Sequence, residues 1–144
     1  MSAARVEIAT TEDELRATWP VMRQLRPHLD EGRYVELVRS MAAEGYRVAA
    51  LYDEDGRVAG VAGYRFMTML YAGRVLYLDD LVTDEAARSK GHGGTLLDWL
   101  KQQARENGCA ELQLISHTKR EAAHRFYFRE GFGIECFEFR WKVV

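Results

Sequence analysis

A glycine-rich loop with basic residues lies near the middle of the chain, and its residue types suit an anionic ligand. The loop reads Arg88, Ser89, Lys90, Gly91, His92, Gly93, Gly94 and Thr95. Glycine lets the backbone approach a ligand closely, and a helix that begins here would present unpaired N–H groups and the positive end of its dipole. Arg88 and Lys90 add positive charge, so the loop predicts a cradle for a diphosphate. Taken alone, the pattern R-x-x-G-x-G also occurs in ordinary loops that cap helices.

Two adjacent carboxylates, Asp79 and Asp80, interrupt an otherwise apolar segment from Val75 to Val82. Neighbouring residues of a strand face opposite sides, so at least one carboxylate should lie near the core or a cleft. Burial raises the pKa of a carboxyl group, and a nearby cation lowers it. Two interpretations are open: a general base beside a group that binds a cationic substrate, or a pair that caps a β-bulge or forms a structural salt bridge.

Tyr127 is a candidate general acid. The unperturbed pKa of tyrosine is about 10, so the phenol is protonated at neutral pH and can donate to a leaving group. The alternative is that Tyr127 packs as an aromatic residue beside Phe126.

Other motifs for nucleotide, metal or nucleophilic chemistry are absent from the sequence. The Walker pattern GxxxxGK[ST] does not occur, and the third spaced glycine of the Rossmann fingerprint is missing. His117 and His124 lie seven residues apart without HExxH or a Cys/His cluster, so no metal site is expected. Cys109 and Cys136 form no CxxC pair and are expected to be reduced and buried.

Length and composition indicate one globular domain over residues 1–144, because 47% of the residues are hydrophobic and 29% are charged. No apolar run approaches the roughly 18 residues that a membrane span needs. The segment Met1 to Pro20 has no signal-peptide core, so we expect a cytoplasmic protein with no membrane partner. A net charge of −2 disfavours a general nucleic-acid binder. The sequence leaves open whether the chain is a monomer or a homodimer.

The elements that must position these residues alternate along the chain. Thr11-x-x-Glu14 is a capping box that opens a helix, which Pro20 should kink or split. The hydrophobic periods and turn residues predict an α/β chain in the order β-α-α-β-β-β-α-β-α-β, with one mixed sheet and helices on its faces. The predicted elements are a strand at Val6 and Ile8, a second helix that Gly45 stops, strands at Tyr46–Tyr52, Val58–Met69 and Val75–Thr83, a helix ending near Gly108, a strand at Leu112–Ser116, a helix ending at Gly131, and a last half-buried strand from Phe137 to Val143.

Two segments resemble the GCN5-related N-acetyltransferase (GNAT) family. Leu81 to Gly93 is similar to motif A, R/Q-x-x-G-x-G/A, and Ala123 to Phe132 is similar to motif B, A-x-x-F-Y-x-x-x-G-F. The resemblance implies a mostly antiparallel sheet with about four helices and two splayed parallel strands. It implies acetyl-CoA as the acyl donor, no metal, and Tyr127 as the acid. The donor site implied by the resemblance comprises Leu81, Val82, Thr83, Arg88, Ser89, Lys90, Gly91, His92, Gly93, Gly94, Thr95 and Phe126.

Three further expectations follow from the resemblance. Many members have Asn seven residues before the motif B tyrosine, where this chain has Arg120, which could contact a phosphate instead. Tyr77-Leu78-Asp79-Asp80 resembles a segment of diamine acetyltransferases, which favours Asp79 as the base and Asp80 as a contact for a cationic substrate, with a backbone N–H at Leu81 or Val82 for the oxyanion. By analogy of fold, the acceptor would be lined by Arg26, His28, Leu29, Asp30, Glu31, Tyr34 and the segment Tyr64–Met69.

The resulting hypothesis is an acetyl-CoA-dependent N-acetyltransferase that acts on a primary amine of a small molecule, polyamine-like or amino-acid-like. A non-catalytic domain that senses coenzyme A, and an enzyme that acetylates a protein N-terminus or lysine, are the alternatives.

Overall fold

The computed structural model describes residues 4–144, which form two compact units, one extending to Gln113 and one from Leu114 to Val144. The helices and strands are β1 (Arg5–Ala9), α1 (Glu12–Leu25), α2 (Glu31–Met41), β2 (Arg47–Tyr52), β3 (Val58–Met69), β4 (Gly73–Thr83), α3 (His92–Glu106), β5 (Glu111–Leu114) and α4 (Glu121–Arg129). Short 3-10 turns occupy Ala42–Glu44 and Glu85–Ala87.

The sheet follows the order of the chain, β1-β2-β3-β4-β5. Strands β1 to β4 are antiparallel neighbours, and β5 runs parallel to β4 after the crossover through α3. The predicted mixed, mostly antiparallel sheet with four helices is therefore confirmed. The strand bounds differ from the prediction by one or two residues at β2, β4 and β5, because end residues carry weak periodic signals.

Helix α1 begins as the sequence predicts. The Thr11 hydroxyl accepts from the Glu14 N–H, and the Glu14 carboxylate accepts from the Thr11 N–H, which together form the capping box. The helix continues through Pro20 as one element, so a split there is wrong. Proline removes one backbone hydrogen bond, and the burial of Val21 and Met22 in the core offsets that loss.

Helices cover both faces of the sheet. Val48 of β2 belongs to a buried cluster with α1 and α2, whereas Leu51 of the same strand and Leu96 of α3 both lie near Gly60. Positions 48 and 51 face opposite sides of a strand, so α3 lies on the face opposite α1 and α2. Burial on both faces explains why β2 reads as a nearly continuous apolar run rather than an alternating one.

The second unit contains α4 and a long segment without regular structure. Residues 132–144 are in no helix or strand, so the predicted last strand from Phe137 to Val143 is wrong for this structure. Trp141 is 86% exposed rather than packed, and Cys136 is exposed rather than buried. An alternating pattern indicates which side chains could share a face, but a strand also needs hydrogen bonds to a neighbouring strand.

Candidate active site

A β-bulge in β4 places the two carboxylates. Gly63 of β3 pairs with Asp80, and the next residue, Tyr64, pairs with Leu78, so Asp79 is the extra residue of β4. A bulge disrupts the ladder locally, bends the strand and redirects side chains, and bulges are over-represented beside active sites. The regular alternation that the sequence suggested for Asp79 and Asp80 therefore does not hold at this point of the strand.

Asp79 forms a two-pronged ion pair with Arg65 of β3. Arg65 Nε donates to Oδ1 over 3.1 Å, and Nη2 donates to Oδ2 over 2.8 Å. Burial raises the pKa of Asp79 above its ordinary value, while the Arg65 guanidinium acts in the opposite direction. The Asp79 side chain is 23% exposed, so solvent or a ligand can still reach this carboxylate.

Asp80 is held more completely than Asp79. Arg26, which follows α1, contacts Oδ1 through Nε at 2.9 Å and through Nη2 at 2.7 Å, and the Tyr46 hydroxyl donates to Oδ2 over 2.6 Å. Burial, followed by the charge of Asp80, raises the pKa of Tyr46 well above 10.0, so this hydroxyl stays protonated. Gly63 makes the contact possible, because a Cβ at this position would overlap the Tyr46 hydroxyl.

These contacts correspond to the salt-bridge interpretation of the carboxylate pair, and they bear on the role expected for Asp80. Three donors already occupy the Asp80 carboxylate, which leaves little capacity for a cationic substrate. Tyr46 and Gly63 could not be assigned to this site from the sequence, since they lie 34 and 17 residues from Asp80. A glycine in the middle of a predicted strand was the one available signal of a bulge or a close approach.

A pocket of about 260 Å³ opens beside this cluster, between α1, α2, the loop that joins them, Tyr46 and β4. Four of the expected acceptor residues line it, and the full lining is Met22, Arg26, His28, Leu29, Tyr34, Leu37, Val38, Met41, Tyr46 and Asp80. The lining thus combines three polar side chains, Arg26, His28 and Asp80, with several aliphatic ones.

The other residues expected at the acceptor site have structural contacts elsewhere. The Asp30 carboxylate caps α2 by accepting from the Arg33 N–H over 2.8 Å, and Glu31 pairs with Arg16 at 3.3 Å. Tyr64, at the start of the expected segment Tyr64–Met69, is buried with its ring 5.8 Å from that of Trp99. None of these three side chains lines the pocket.

The glycine-rich loop has the backbone geometry of an anion cradle. Ser89 and Gly91 have φ values of 71° and 77°, and Gly91 is the N-cap of α3 without any side-chain cap. The first hydrogen bond within the helix runs from the Thr95 N–H to the Gly91 carbonyl over 3.0 Å. The N–H groups of His92, Gly93 and Gly94 thus have no acceptor within the helix. Arg88 and Lys90 are exposed on the same loop, so these residues fit a diphosphate.

Two side chains of this loop, those of Thr95 and His92, have surroundings that an anion-binding role does not explain. The Thr95 hydroxyl donates to the Gly91 carbonyl over 3.1 Å, so its own helix occupies it. His92 Nε2 is buried without a hydrogen-bond partner among residues 4–144.

The end of β4 distinguishes the two backbone donors expected for an oxyanion. Asp84, next after the strand, donates its N–H to the Ala59 carbonyl over 2.8 Å. N–H groups two residues apart point the same way in an antiparallel pair, so Val82 also directs its N–H towards β3. Leu81 and Thr83 direct their N–H groups away from β3, which leaves Leu81 as the better candidate.

Tyr127 lies on α4 in the second unit. Its ring is 5.4 Å from that of Phe126 and 5.7 Å from that of Phe132, measured between centroids, so it packs among aromatic residues. Burial raises the pKa of Tyr127 above 10.0, against a smaller lowering by Arg120. Arg120 is the N-cap residue of the same helix and is exposed. The phenol is therefore in its proton-donating form at neutral pH.

Within residues 4–144, no group of three or more His, Cys, Asp or Glu side chains could hold a metal ion. No helix in this part of the chain combines the length and apolar character required to cross a bilayer.

Comparison with known proteins supplies the family. The acetyltransferase (GNAT) family model matches residues 8–133. The chain is 35% identical over 133 residues to the uncharacterized N-acetyltransferase YhdJ of Bacillus subtilis. The matched region covers 91% of this chain and 93% of that protein. The chain is also 28% identical over 143 residues to the aminoalkylphosphonate N-acetyltransferase of Salmonella typhimurium, with 96% and 91% covered.

A solved structure supports the same fold. The ribosomal-protein-alanine N-acetyltransferase of Brucella melitensis biovar Abortus superposes with a TM-score of 0.84 at 14% identity, covering 99% of this chain and 100% of the other. The family resemblance is confirmed: the chain belongs to the acetyltransferase (GNAT) family and is an acyltransferase.

Proposed function

We propose that this member of the GNAT family transfers the acetyl group of acetyl-CoA to a primary amine of a small molecule. The observation that carries the proposal is the continuous unit from Asp79 to Thr95. This unit joins a bulged, partly exposed carboxylate to a loop whose amides are open to an anion. The family match from residue 8 to 133 spans both compact units, which supports a single catalytic domain.

The loop residues would hold the diphosphate of acetyl-CoA. The N–H groups at the start of α3 would donate hydrogen bonds to phosphate oxygens, and Arg88 and Lys90 would add positive charge. Ser89, Gly91, Gly93 and Gly94 would let the backbone approach the phosphates, and Arg120 would offer a further cation. Acetyl-CoA itself supplies an acetyl thioester, which is an activated acyl donor.

Asp79 would accept the proton that the amine loses. In the overall reaction a C–N bond forms, the C–S bond breaks, one proton leaves the nitrogen and one proton reaches the sulfur. The Asp79 carboxylate, oriented by Arg65, would take the first proton directly or through a water molecule. The Leu81 N–H would stabilise negative charge on the carbonyl oxygen. The Tyr127 phenol would give the second proton to the thiolate, and solvent would exchange protons with both groups afterwards.

Two observations favour a small acceptor. The pocket beside Asp80 has a volume of about 260 Å³, slightly below the range of roughly 300–1,000 Å³ that is typical of small-molecule sites. One relative, 28% identical to this chain, is an aminoalkylphosphonate N-acetyltransferase, whose name denotes a small amine. Acetylation of a protein N-terminus or lysine is the less favoured alternative. The solved structure named for a protein acceptor, the ribosomal-protein-alanine N-acetyltransferase, is 14% identical to this chain and shares only the fold.

The test combines binding and turnover. Calorimetry should detect coenzyme A binding, and replacing Arg88 and Lys90 with glutamine should weaken it. A control variant, Arg23→Gln, removes one exposed cation from α1 and should leave the affinity unchanged. Release of free thiol from acetyl-CoA should then depend on a primary amine from a panel of amino acids, aminophosphonates, polyamines and peptides.

Three results would decide against parts of the proposal. No measurable affinity for coenzyme A would exclude the donor site. Binding of coenzyme A without turnover on any amine would favour a sensing domain. Turnover restricted to peptides would favour a protein acceptor.

A further inference from the structure

We propose that the acceptor amine carries an acidic group and that Arg26 is the residue that selects it. This inference rests on the proposed acetyltransferase function and narrows its substrate class. The acidic group would be a carboxylate, a phosphate or a phosphonate, since each presents the paired oxygens that a guanidinium binds.

The charges around the pocket argue against a polycationic acceptor. Asp79 is paired through both oxygens with Arg65, and Asp80 receives two nitrogens of Arg26 as well as the Tyr46 hydroxyl. Two carboxylates therefore meet two guanidinium groups, and the cluster has no net charge. A second ammonium group of a polyamine would therefore meet carboxylates that already have guanidinium partners, and it would gain little from them.

Arg26 has the position and the remaining donors to bind an anion. It is the C-cap residue of α1, its backbone N–H donates to the Met22 carbonyl, and its side chain is 41% exposed at the edge of the pocket. Nε and Nη2 contact Asp80 and the Asp79 carbonyl, and these contacts fix the plane of the guanidinium. The Nη1 amino group makes no hydrogen bond within residues 4–113, so two N–H donors remain for a ligand.

The rest of the pocket suits a short amine with an apolar chain. His28 also lines the pocket, and its ring can donate a hydrogen bond to an acidic group. The Tyr34 hydroxyl, by contrast, is occupied by Thr18 at 2.7 Å. Leu29, Leu37 and the neighbouring aliphatic side chains would contact the methylene groups of the acceptor.

The experiment compares acceptors that share an aminoethyl group and differ at the other end. The set is propylamine, 1,3-diaminopropane, 3-aminopropanoate, 2-aminoethylphosphonate and 2-aminoethyl phosphate. The wild-type kcat/KM should be about 10- to 100-fold higher for the best acidic acceptor than for propylamine, mainly through KM, as expected for charge-assisted hydrogen bonds. The three acidic members distinguish the carboxylate, phosphonate and phosphate classes.

Arg26→Gln should reduce the ratio of acidic to neutral kcat/KM to about one, whereas the control Arg23→Gln should keep it. Because loss of Arg26 also leaves Asp80 without its ion pair, the ratio and not the absolute rate is the readout. Arg26→Lys retains the charge without the planar fork, so it should recover part of the ratio. The KM for acetyl-CoA and the circular dichroism spectrum report whether each variant is folded.

The outcomes separate this inference from the proposed function. No turnover on any amine would contradict the proposed function. Turnover with propylamine or 1,3-diaminopropane equal to or better than that with the acidic acceptors would overturn the selection of an acidic group. A preference for acidic acceptors that Arg26→Gln leaves intact would overturn the role of Arg26. If Arg26→Gln fails to fold, Arg26→Lys takes its place. A ratio of acidic to neutral kcat/KM that Arg26→Lys leaves unchanged with each class of acid would equally overturn the role of Arg26.

Discussion

Replacement of Gly63 by alanine should disrupt the contacts that hold Asp80. A Cβ at this position would overlap the Tyr46 hydroxyl, lie 2.5 Å from Tyr46 Cζ and lie 2.7 Å from Asp80 Oδ2. Tyr46 is buried, with 4% of its surface exposed, so a shift of its ring disturbs the packing around it. Gly63→Ala therefore forces Tyr46 away from Asp80.

The expected loss of stability has two parts. A hydrogen bond to a charged group contributes about 1.5–3 kcal/mol, and this is the contact between Tyr46 and Asp80. An extra methyl group in a packed interior costs about 1–3 kcal/mol. The free energy of unfolding should thus fall by about 2.5–6 kcal/mol. Because the displaced carboxylate is the partner of Arg26, the KM for the acceptor should rise while the affinity for coenzyme A remains.

Urea denaturation followed by circular dichroism measures this effect, with Gly32→Ala as the matched control. Gly32 lies in α2, and its added Cβ would find its nearest neighbour, Asp30 Oδ1, at 3.5 Å. Alanine is a better helix former than glycine, so Gly32→Ala should raise stability by about 0.5–1 kcal/mol. The change from glycine to alanine should therefore lower the free energy of unfolding at position 63 and raise it at position 32.

A Gly63→Ala protein with stability within about 0.5 kcal/mol of the wild type would refute this reasoning. That result would mean that the close approach of Tyr46 to β3 contributes little and that the site does not depend on the bulge. Tyr46→Phe gives an independent estimate, because it removes the same hydrogen bond without adding volume, and it should cost about 1.5–3 kcal/mol.

Three further predictions concern the proposed base, the proposed acid and a buried hydroxyl pair. Burial raises the pKa of Asp79, so the kcat/KM of the wild type should fall as the pH drops through a value above 3.8. Asp79→Asn should lower kcat about 10²–10⁴-fold and abolish this fall at acidic pH. An unaltered pH profile in the variant would exclude the base role. Tyr127→Phe should reduce kcat by about 10²–10⁴-fold with little change in coenzyme A affinity, and unchanged turnover would remove Tyr127 from the mechanism. Burial raises the pKa of Tyr34 to about 12, and this hydroxyl contacts fully buried Thr18 at 2.7 Å. Thr18→Val should therefore cost about 1–3 kcal/mol in urea denaturation, and adding Tyr34→Phe should cost less than the sum of the two single changes; strict additivity would contradict this coupling.

The local structure around the site was predictable from the amino-acid sequence. Three local features depend only on residues a few positions apart. They are the capping box of Thr11 and Glu14, the hydrophobic periods of α1 to α3, and the turns between β2, β3 and β4. The glycine-rich loop at the start of α3 is local in the same sense, and so are the two motifs that pointed to the family.

The groups that surround the two carboxylates, by contrast, depend on the tertiary structure. Arg65 lies 14 residues from Asp79, while Tyr46 and Arg26 lie 34 and 54 residues from Asp80. No short-range pattern encodes such pairings, because they depend on the register of β3 against β4 and on the bulge that shifts it. The segment from Phe137 to Val143 shows that a local pattern can also fail to form the element that it predicts. Its alternating residues form a strand only where another strand supplies hydrogen bonds.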